Sequence, residues 1–220
     1  MIFVENQEVW GFEHAIRGMR NPLNSWDRSD SYEECADAFE NCGDCRIGEF
    51  VVGEDDLALM KQLCKAGTEH RKFMRQIFVS MDITAPLYWW KEFDTYKIGT
   101  VSNSCSTMHT LHKRDIERKD FSCEGLGDAQ TAVLESLIDE INKVRRVYVD
   151  TGDKRYWRMM IQLLPESYNQ RRTITMNYEN VLSIIHQRKN HRLSEWRWFC
   201  RVLSELPYVE DLIGTHRQSA

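Results

Sequence analysis

The chain has 220 residues, 42% of them hydrophobic, which is enough for the core of one large domain or two small ones. It contains no run of about 18 apolar residues that could cross a membrane, and its first residues lack the basic start and apolar core of a signal peptide. These features argue against a largely disordered chain and against a membrane partner, and they predict a soluble, cytoplasmic protein.

The formal net charge of -5 conceals an uneven distribution of charge. Residues 154–201 carry ten Lys and Arg against three Asp and Glu, whereas residues 27–56 carry eleven Asp and Glu against two Arg. An acidic chain with a basic C-terminal third argues against broad electrostatic binding of duplex nucleic acid and suits a local pocket for a small anion. Mutual pairing of the two segments is the alternative interpretation.

The seven cysteines are an odd number and are spread along the chain, which favours a reducing compartment over a disulfide framework. Cys42 and Cys45 could form half of a zinc site, with His109 and His112 as the other half. The His-x-x-His pattern is loose and no second Cys-x-x-Cys pair exists. No metal site is therefore predicted.

The first half of the chain predicts short elements followed by a regular helix and strand. Residues 8–12 predict a strand and residues 21–25 a turn. Residues 55–66 predict a helix ended by Gly67. Residues 75–83 alternate like a strand, with four apolar side chains inward: Ile77, Val79, Met81 and Ile83.

Four further helices carry start or stop signals and are predicted over residues 87–94, 128–148, 156–164 and 194–206. Pro86 can open the first, because its missing N–H costs nothing in a first turn, and a polar loop over residues 95–109 follows it. Asp128 is the predicted N-cap of the long second helix. The apolar side of that helix comprises Val133, Leu134, Leu137, Ile138 and Ile141.

The segment 163–198 places a strand directly before a capped helix. Residues 171–176 alternate and predict one face formed by Arg172, Ile174 and Met176. Asn177 then caps a helix, and it shares one face of that helix with Val181, Ile184 and Arg188. Asn177 and Arg188, the two polar ends of this face, lie about 16 Å apart. An elongated anion with an apolar ring system could lie between Asn177 and Arg188. The alternative is a buried helix face with polar ends.

Short motifs follow one another through this region in the order Leu164-Pro165, Tyr168, Thr175-Met176-Asn177, Leu182, Arg188 and Ser194-Glu195-Trp196. The order resembles the C-terminal region of the flavin-dependent thymidylate synthases, where the pattern is L-P, an aromatic residue, W-T-V-N, a helix, L-R and A-Q-W-E. The resemblance covers residues 65–212 and leaves residues 1–64 unassigned. It implies a single α+β domain over residues 1–220, with a mostly antiparallel sheet packed with long helices.

The signature of that family, R-H-R-x-x-S followed by N-E-x-S-x-R, is altered in this chain. The matching segments are residues 95–100 and 103–108, so the chain resembles a divergent member. Lys97 replaces an arginine, and a lysine is only a point charge that cannot clamp a phosphate with two parallel hydrogen bonds. Three other arginines could restore the lost charge, unless they form surface salt bridges instead: Arg158, Arg171 and Arg172.

The resemblance implies one set of residues for FAD and another for a nucleotide. The FAD set is Thr95, Tyr96, Lys97, Ile98, Asn177, Ser183 and, with a one-residue shift that leaves the choice open, His191 or Arg192. The nucleotide set is Glu92, Asn103, Ser104, Ser106, Arg172 and Arg188. Glu92 matches a glutamine of the family and can only accept hydrogen bonds, so a cytosine amino group would suit it. A solvated helix-surface glutamate is the alternative.

The activity implied by the resemblance is FAD-dependent transfer of a one-carbon unit to C5 of a deoxypyrimidine monophosphate, either dUMP or a relative such as dCMP. Methylenetetrahydrofolate would be the donor and NADPH the reductant, with no protein nucleophile and hence no assigned catalytic residue. Cys105 has no locally paired His or acid that would activate it. A homotetramer is expected by resemblance. The alternative is an inactive relative that binds a nucleotide or a protein partner.

Overall fold

The computed structural model of the protein describes residues 2–35 and 48–214, and within these ranges the fold is α+β. The strands are β1 (Phe3–Trp10), β2 (Tyr32–Cys35), β3 (Gly48–Val51), β4 (Phe78–Pro86), β5 (Thr100–Ser104) and β6 (Asn169–Asn177). The helices are α1 (Phe12–Arg20), α2 (Glu54–Lys65), α3 (Leu87–Phe93), α4 (Thr107–Thr110), α5 (Asp128–Thr151), α6 (Lys154–Leu163), α7 (Tyr178–Arg188), α8 (Ser194–Ser204) and α9 (Val209–Ile213). The α+β class predicted from the sequence is confirmed.

Four strands form an antiparallel sheet in the order β1-β4-β6-β5, and β2 pairs with β3 in a separate antiparallel ribbon. The predicted strand 75–83 begins later than expected, because residues 72–76 form a 3-10 helix. Its alternation is confirmed, since all four predicted inward side chains are at most 1% exposed: Ile77, Val79, Met81 and Ile83.

The chain divides into two compact units. The first unit comprises Met1–Gln7 and Met81–Ile174, and the second unit comprises Glu8–Ser80 and Thr175–Ala220. The first unit thus holds helices α3 to α6 and the second holds α1, α2 and α7 to α9.

The core of the first unit forms around α5 and α6. Its buried cluster comprises Leu111, Ile116, Phe121, Leu134, Ile138, Ile141 and Met160. Asn142 fastens the preceding loop to α5, because its side chain accepts a hydrogen bond from the N–H of Ile116 (2.8 Å) and donates one to the carbonyl oxygen of Ile116 (2.9 Å). The predicted apolar side of α5 is correct except at Val133, which is 70% exposed.

The second unit is built around aromatic side chains and one buried ion pair. The Phe12 ring contacts those of Tyr178 and Tyr208 edge to face, at centroid distances of 5.7 and 5.3 Å. Arg20 Nε donates to Asp56 Oδ1 at 2.6 Å, and the two side chains are 5% and 0% exposed. A buried charge must be paired in this way to offset its loss of hydration.

Two sequence predictions for irregular segments were wrong. The strand predicted over residues 8–12 ends at Trp10, because Gly11 adopts φ +97° and Phe12 begins α1. Only a glycine fits there, since a Cβ atom on Gly11 would lie 2.2 Å from the carbonyl oxygen of Gln76. The polar segment 95–109, predicted as a loop, contains β5 and the start of α4.

The structure adds two observations on membranes and metals. None of the helices described is both long and apolar enough to cross a membrane. Within residues 2–35 and 48–214, no group of three His, Cys, Asp or Glu side chains is arranged to hold a metal ion. Cys42 and Cys45 lie outside the described residues, so the structure does not test whether this pair could be half of a zinc site.

Candidate functional site

A cavity of about 250 Å³ lies in the first unit beside the segment that matches the altered signature. Its polar lining includes Cys105, Thr107, Thr110, Arg114, Lys119 and Arg171. Three of these side chains are basic, and Asp120 is the single acidic residue of the described lining. Each of these cations is also paired with a carboxylate: Arg114 with Asp120, Lys119 with Glu117, and Arg171 with Asp82 and Glu5. The lining thus offers three charged hydrogen-bond donors to an anionic ligand, without a net excess of positive charge.

Backbone and side-chain hydrogen bonds hold the signature segment against β6. The N–H of Cys105 donates to the carbonyl oxygen of Arg171 at 2.8 Å, and Gln170 Nε2 donates to the carbonyl oxygen of Cys105 at 2.9 Å. The chain then turns into α4, where Thr110 Oγ1 donates to the carbonyl oxygen of Ser106 at 2.7 Å. This local framework positions the thiol and hydroxyl groups of the lining.

Carboxylates order the basic side chains of the cavity. Arg114 donates to both oxygens of Asp120, at 2.8 and 2.6 Å. Lys119 pairs with Glu117 at 2.5 Å, and Arg171 donates to Asp82 at 2.8 Å. Burial by itself would raise the pKa of Asp120, but hydrogen bonds from Arg114 and a backbone N–H outweigh it and hold the pKa below its ordinary value. Arg114 is thus held in place as a charged donor at neutral pH.

Two further groups of the cavity can recognise a ligand through neutral hydrogen bonds. Burial, and then the nearby Asp120 carboxylate, raise the pKa of Tyr168, so its phenol is a proton donor at neutral pH. Asn169 Oδ1 is buried and has no hydrogen-bond partner among the described residues. A buried acceptor without a donor costs about 1–3 kcal/mol, so a ligand N–H that reached Asn169 would recover this energy.

The predicted nucleotide residues of the first unit are not among the described residues that line this cavity. Asn103 and Ser104 are exposed on β5, Glu92 is half-buried on α3, and Ser106 is the half-buried N-cap of α4. The neighbouring Cys105 and Thr107 line the cavity instead.

Arg171, and not the predicted Arg172, is the arginine of β6 that lines the cavity. Arg172 lies 4.3 Å above the centroid of the Trp90 ring and donates to Asp94 Oδ1 at 2.7 Å. Successive side chains of a strand point to opposite faces, so only one of two adjacent arginines can face the cavity. Sequence reasoning also missed Arg114 and Lys119, which carry no recognisable motif.

The four predicted cofactor residues of the first unit form an exposed loop after α3. Thr95 Oγ1 donates to the carbonyl oxygen of Glu92 at 2.7 Å, and the half-buried Tyr96 packs against Phe93 at a centroid distance of 6.3 Å. Lys97 is exposed and Ile98 is 91% exposed. Lys97 and Ile98 thus place a cation and an apolar side chain next to each other on the surface of this loop.

The other predicted residues belong to the second unit, and their helix face is buried. Asn177 Oδ1 accepts a hydrogen bond from the N–H of Asn180 at 3.1 Å, which confirms the predicted cap. Val181 and Ile184 are 1% and 0% exposed. The interpretation of this stripe as a buried helix face is therefore the one that the burial of Val181 and Ile184 supports. The guanidinium of Arg188 lies 4.9 Å from the centroid of the Trp196 ring.

The remaining cofactor residues surround the junction of α7 and α8. Ser183 Oγ accepts from Gln187 Nε2 at 3.0 Å. His191 Nδ1 accepts from the N–H of Leu193 at 3.2 Å, and its ring lies 6.1 Å from that of Trp196. Arg192 is exposed. The N–H of His191 donates to the carbonyl oxygen of Arg188 at 2.9 Å, and both side chains contact the Trp196 ring.

The fold is that of the flavin-dependent thymidylate synthases. Thymidylate synthase X (ThyX) from Helicobacter pylori, solved with FAD and dUMP, matches with a TM-score of 0.66 and 15% sequence identity over 97% of each chain. A second structure of flavin-dependent ThyX from Helicobacter pylori, complexed with FAD and dUMP, matches with a TM-score of 0.64 and 14% identity over 96% of each chain. No protein-family profile and no curated protein sequence matches. The structural match extends into residues 1–64, which the sequence left unassigned.

Proposed function

We propose that the protein transfers a one-carbon unit to C5 of a deoxypyrimidine monophosphate, dUMP or a relative such as dCMP, with FAD as cofactor. The observation that carries the proposal is the cavity beside the altered signature segment, which is lined by three basic side chains. The Helicobacter pylori structures of the same fold contain FAD and dUMP. Methylenetetrahydrofolate as donor, NADPH as reductant, a homotetrameric assembly and a cytoplasmic location complete the proposal by resemblance.

The basic side chains of the cavity would hold the nucleotide phosphate. Arg114, Lys119 and Arg171 supply positive charge, and the hydroxyl groups of Thr107 and Thr110 are additional donors beside them. Charge-assisted hydrogen bonds to phosphate are the strongest that a protein side chain makes. The three basic side chains thus compensate for the signature arginines that this chain lacks.

The base would be recognised by neutral groups. Asn169 Oδ1 is an acceptor without a partner in the described part of the chain, and both the N3–H of uracil and the amino group of cytosine are donors that suit it. Glu92, Asn103, Ser104 and Ser106, with Arg172 and Arg188, remain proposed nucleotide residues.

The residues proposed to contact FAD form one set in each unit. In the first unit, Lys97 would meet a phosphate group of FAD and Ile98 its apolar ring, with Thr95 and Tyr96 as further proposed contacts. In the second unit, the proposed contacts are Asn177, Ser183, His191 and Arg192. The bound flavin would supply the redox chemistry, and the chain's own residues would bind and orient the two ligands.

Matched variants on one turn test the nucleotide site. Lys119→Gln removes a cation of the cavity, whereas Arg118→Gln removes an exposed cation of the same 3-10 turn that pairs with Glu135. We expect Lys119→Gln and Arg171→Gln each to weaken dUMP binding about tenfold, since a hydrogen bond to a charged group contributes about 1.5–3 kcal/mol. Calorimetric titration should show no change with Arg118→Gln. Unchanged dUMP affinity in both cavity variants would refute the site.

The alternative, an inactive relative that binds a nucleotide, is favoured by the replacement of the signature arginines. Purified protein with added FAD, methylenetetrahydrofolate, NADPH and dUMP or dCMP distinguishes the two functions. Flavin absorbance together with a methylated nucleotide supports the enzyme. Nucleotide binding without product supports the inactive relative, and a protein that takes up no FAD at high concentration refutes flavin-dependent catalysis.

A further inference from the structure

A second cavity, of about 240 Å³, lies in the second unit and is not used by the proposed function. Helix α7 lines it with Leu182, Ile185 and His186, and Lys189, the C-cap of α7, continues the same face. Helix α8 lines it with Arg197, Cys200, Arg201 and Ser204. Each set follows the spacing i, i+3, i+4, i+7, which places four side chains on one face of a helix. Two complete helix faces therefore form this cavity, and Ile213 of α9 adds to its lining.

The floor of the cavity is apolar and uncharged. Leu182 and Ile185 are each 5% exposed, and Cys200 is 4% exposed. Burial raises the pKa of Cys200 to about 11, so the thiol is protonated at neutral pH. Ser204 Oγ donates to the carbonyl oxygen of Cys200 at 2.9 Å. The hydroxyl proton of Ser204 is therefore already used in a hydrogen bond within α8. The floor formed by Leu182, Ile185 and Cys200 therefore suits the apolar part of a ligand, because a polar group placed there would lose its hydration without gaining a hydrogen bond.

The rim of the cavity carries three basic side chains that form no ion pair within the described part of the chain. Lys189, Arg197 and Arg201 form no ion pair with an acidic side chain among the described residues, and none of the described lining residues is acidic. Arg197 Nη1 donates to the carbonyl oxygens of His191 (2.6 Å) and Arg192 (2.9 Å). These two bonds order the guanidinium group without cancelling its charge.

We propose that this cavity binds a small organic anion with an apolar body. The anionic group meets Lys189, Arg197 and Arg201 at the rim, and the apolar body contacts Leu182 and Ile185. A volume of about 240 Å³ lies below the range of roughly 300–1,000 Å³ that is usual for drug-sized ligands. The ligand is therefore a short alkyl or single-ring phosphate or carboxylate.

Three probes separate the contributions of the two parts of the ligand. Hexyl phosphate combines charge and alkyl chain, inorganic phosphate has only the charge, and hexanol has only the chain. Calorimetric titration of the full chain should give an affinity for hexyl phosphate at least about tenfold above that for either other probe. Equal affinity for inorganic phosphate would show that the floor contributes nothing, and equal affinity for hexanol that the rim contributes nothing. Either result overturns the proposal.

Surface variants test the rim without threatening the fold. Lys189 and Arg201 are exposed, so Lys189→Gln and Arg201→Gln should fold normally and each weaken hexyl phosphate binding several-fold. Lys143→Gln, which removes an exposed cation of α5 in the first unit, is the matched control and should change nothing. Undiminished binding in the double variant Lys189→Gln/Arg201→Gln overturns the proposal.

Two further measurements test the position of the ligand and its independence from the nucleotide. Ser204→Leu keeps every cation of the rim but fills part of the cavity, so it should abolish hexyl phosphate binding, and binding as tight as in the original chain contradicts the proposed position. Saturating dUMP should leave hexyl phosphate bound. Displacement by dUMP would mean that the probe occupies the nucleotide site, which overturns a separate site.

Discussion

Replacement of Asp56 by alanine should destabilise the second unit by about 3–5 kcal/mol, the usual cost of breaking a buried ion pair. Asp56 is 0% exposed, and Arg20 is 5% exposed. Asp56 Oδ1 accepts from Arg20 Nε at 2.6 Å, while Oδ2 accepts from the hydroxyl groups of Ser29 (2.6 Å) and Ser31 (2.7 Å). The variant leaves a buried guanidinium and two hydroxyl groups without their acceptor. The loss is a large fraction of a typical folding stability of about 5–15 kcal/mol.

Urea denaturation followed by tryptophan fluorescence measures this loss. With a denaturant slope of about 1–3 kcal/mol per molar, the midpoint should fall by more than about 1 M. Glu140→Gln is the control, because its pair with Lys143 is exposed and contributes at most about 0.5 kcal/mol. A loss below about 1 kcal/mol for Asp56→Ala would refute the reasoning, since the buried pair would then contribute no more than a surface pair.

The contribution of Asp56 should also depend on pH. Burial by itself raises the pKa of Asp56, but hydrogen bonds from Ser29, Ser31 and Arg20 outweigh it and hold the pKa below the ordinary value of 3.8. A carboxyl whose folded pKa is lowered stabilises the folded state above its unfolded pKa and loses this contribution as the pH falls through the folded pKa. The stability difference between the original chain and Asp56→Ala should therefore be constant near neutral pH and shrink below about pH 3.8. A constant difference at every pH would contradict this assignment.

Three other predictions concern single side chains. Hydrogen bonds lower the pKa of Asp82 to about 2, and the bond from Thr173 has the largest effect. Thr173→Val should therefore raise the pKa of Asp82 measured by NMR titration, and an unchanged pKa would contradict the assignment. Alkylation at mildly alkaline pH should modify the exposed Cys105 much faster than Cys200, whose pKa is raised by burial to about 11; equal rates would be inconsistent with this burial. Asn177→Ala should cost about 1 kcal/mol in urea denaturation because α7 loses its cap, and Asn177→Ser should restore most of it.

Elements whose pattern is local were predictable from the sequence. The alternation of Ile77, Val79 and Met81 defines one face of a strand wherever the strand lies, and the Asn177 cap requires only the N–H of a residue in the next turn. Segments that depend on distant partners were not predictable. The segment 95–109 forms β5 in part because the main chain of Cys105 pairs with that of Arg171, far along the chain.

The sequence by itself determined the positions of the long helices and the buried side of strand β4, because these follow from the periods of 3.6 and 2 residues. The sequence implied the α+β class through a family resemblance and not through these periods. It also supplied the resemblance to the flavin-dependent thymidylate synthases. Only the tertiary structure decided whether a given face of a helix or strand contacts the core, a cavity or another side chain. The stripe from Asn177 to Arg188 faces the core, Arg171 lines a cavity while Arg172 packs on Trp90, and Lys119 joins the same cavity from a turn without a motif. Periodicity relates neighbours along one element, whereas a cavity is formed by side chains from several elements whose packing no local pattern encodes.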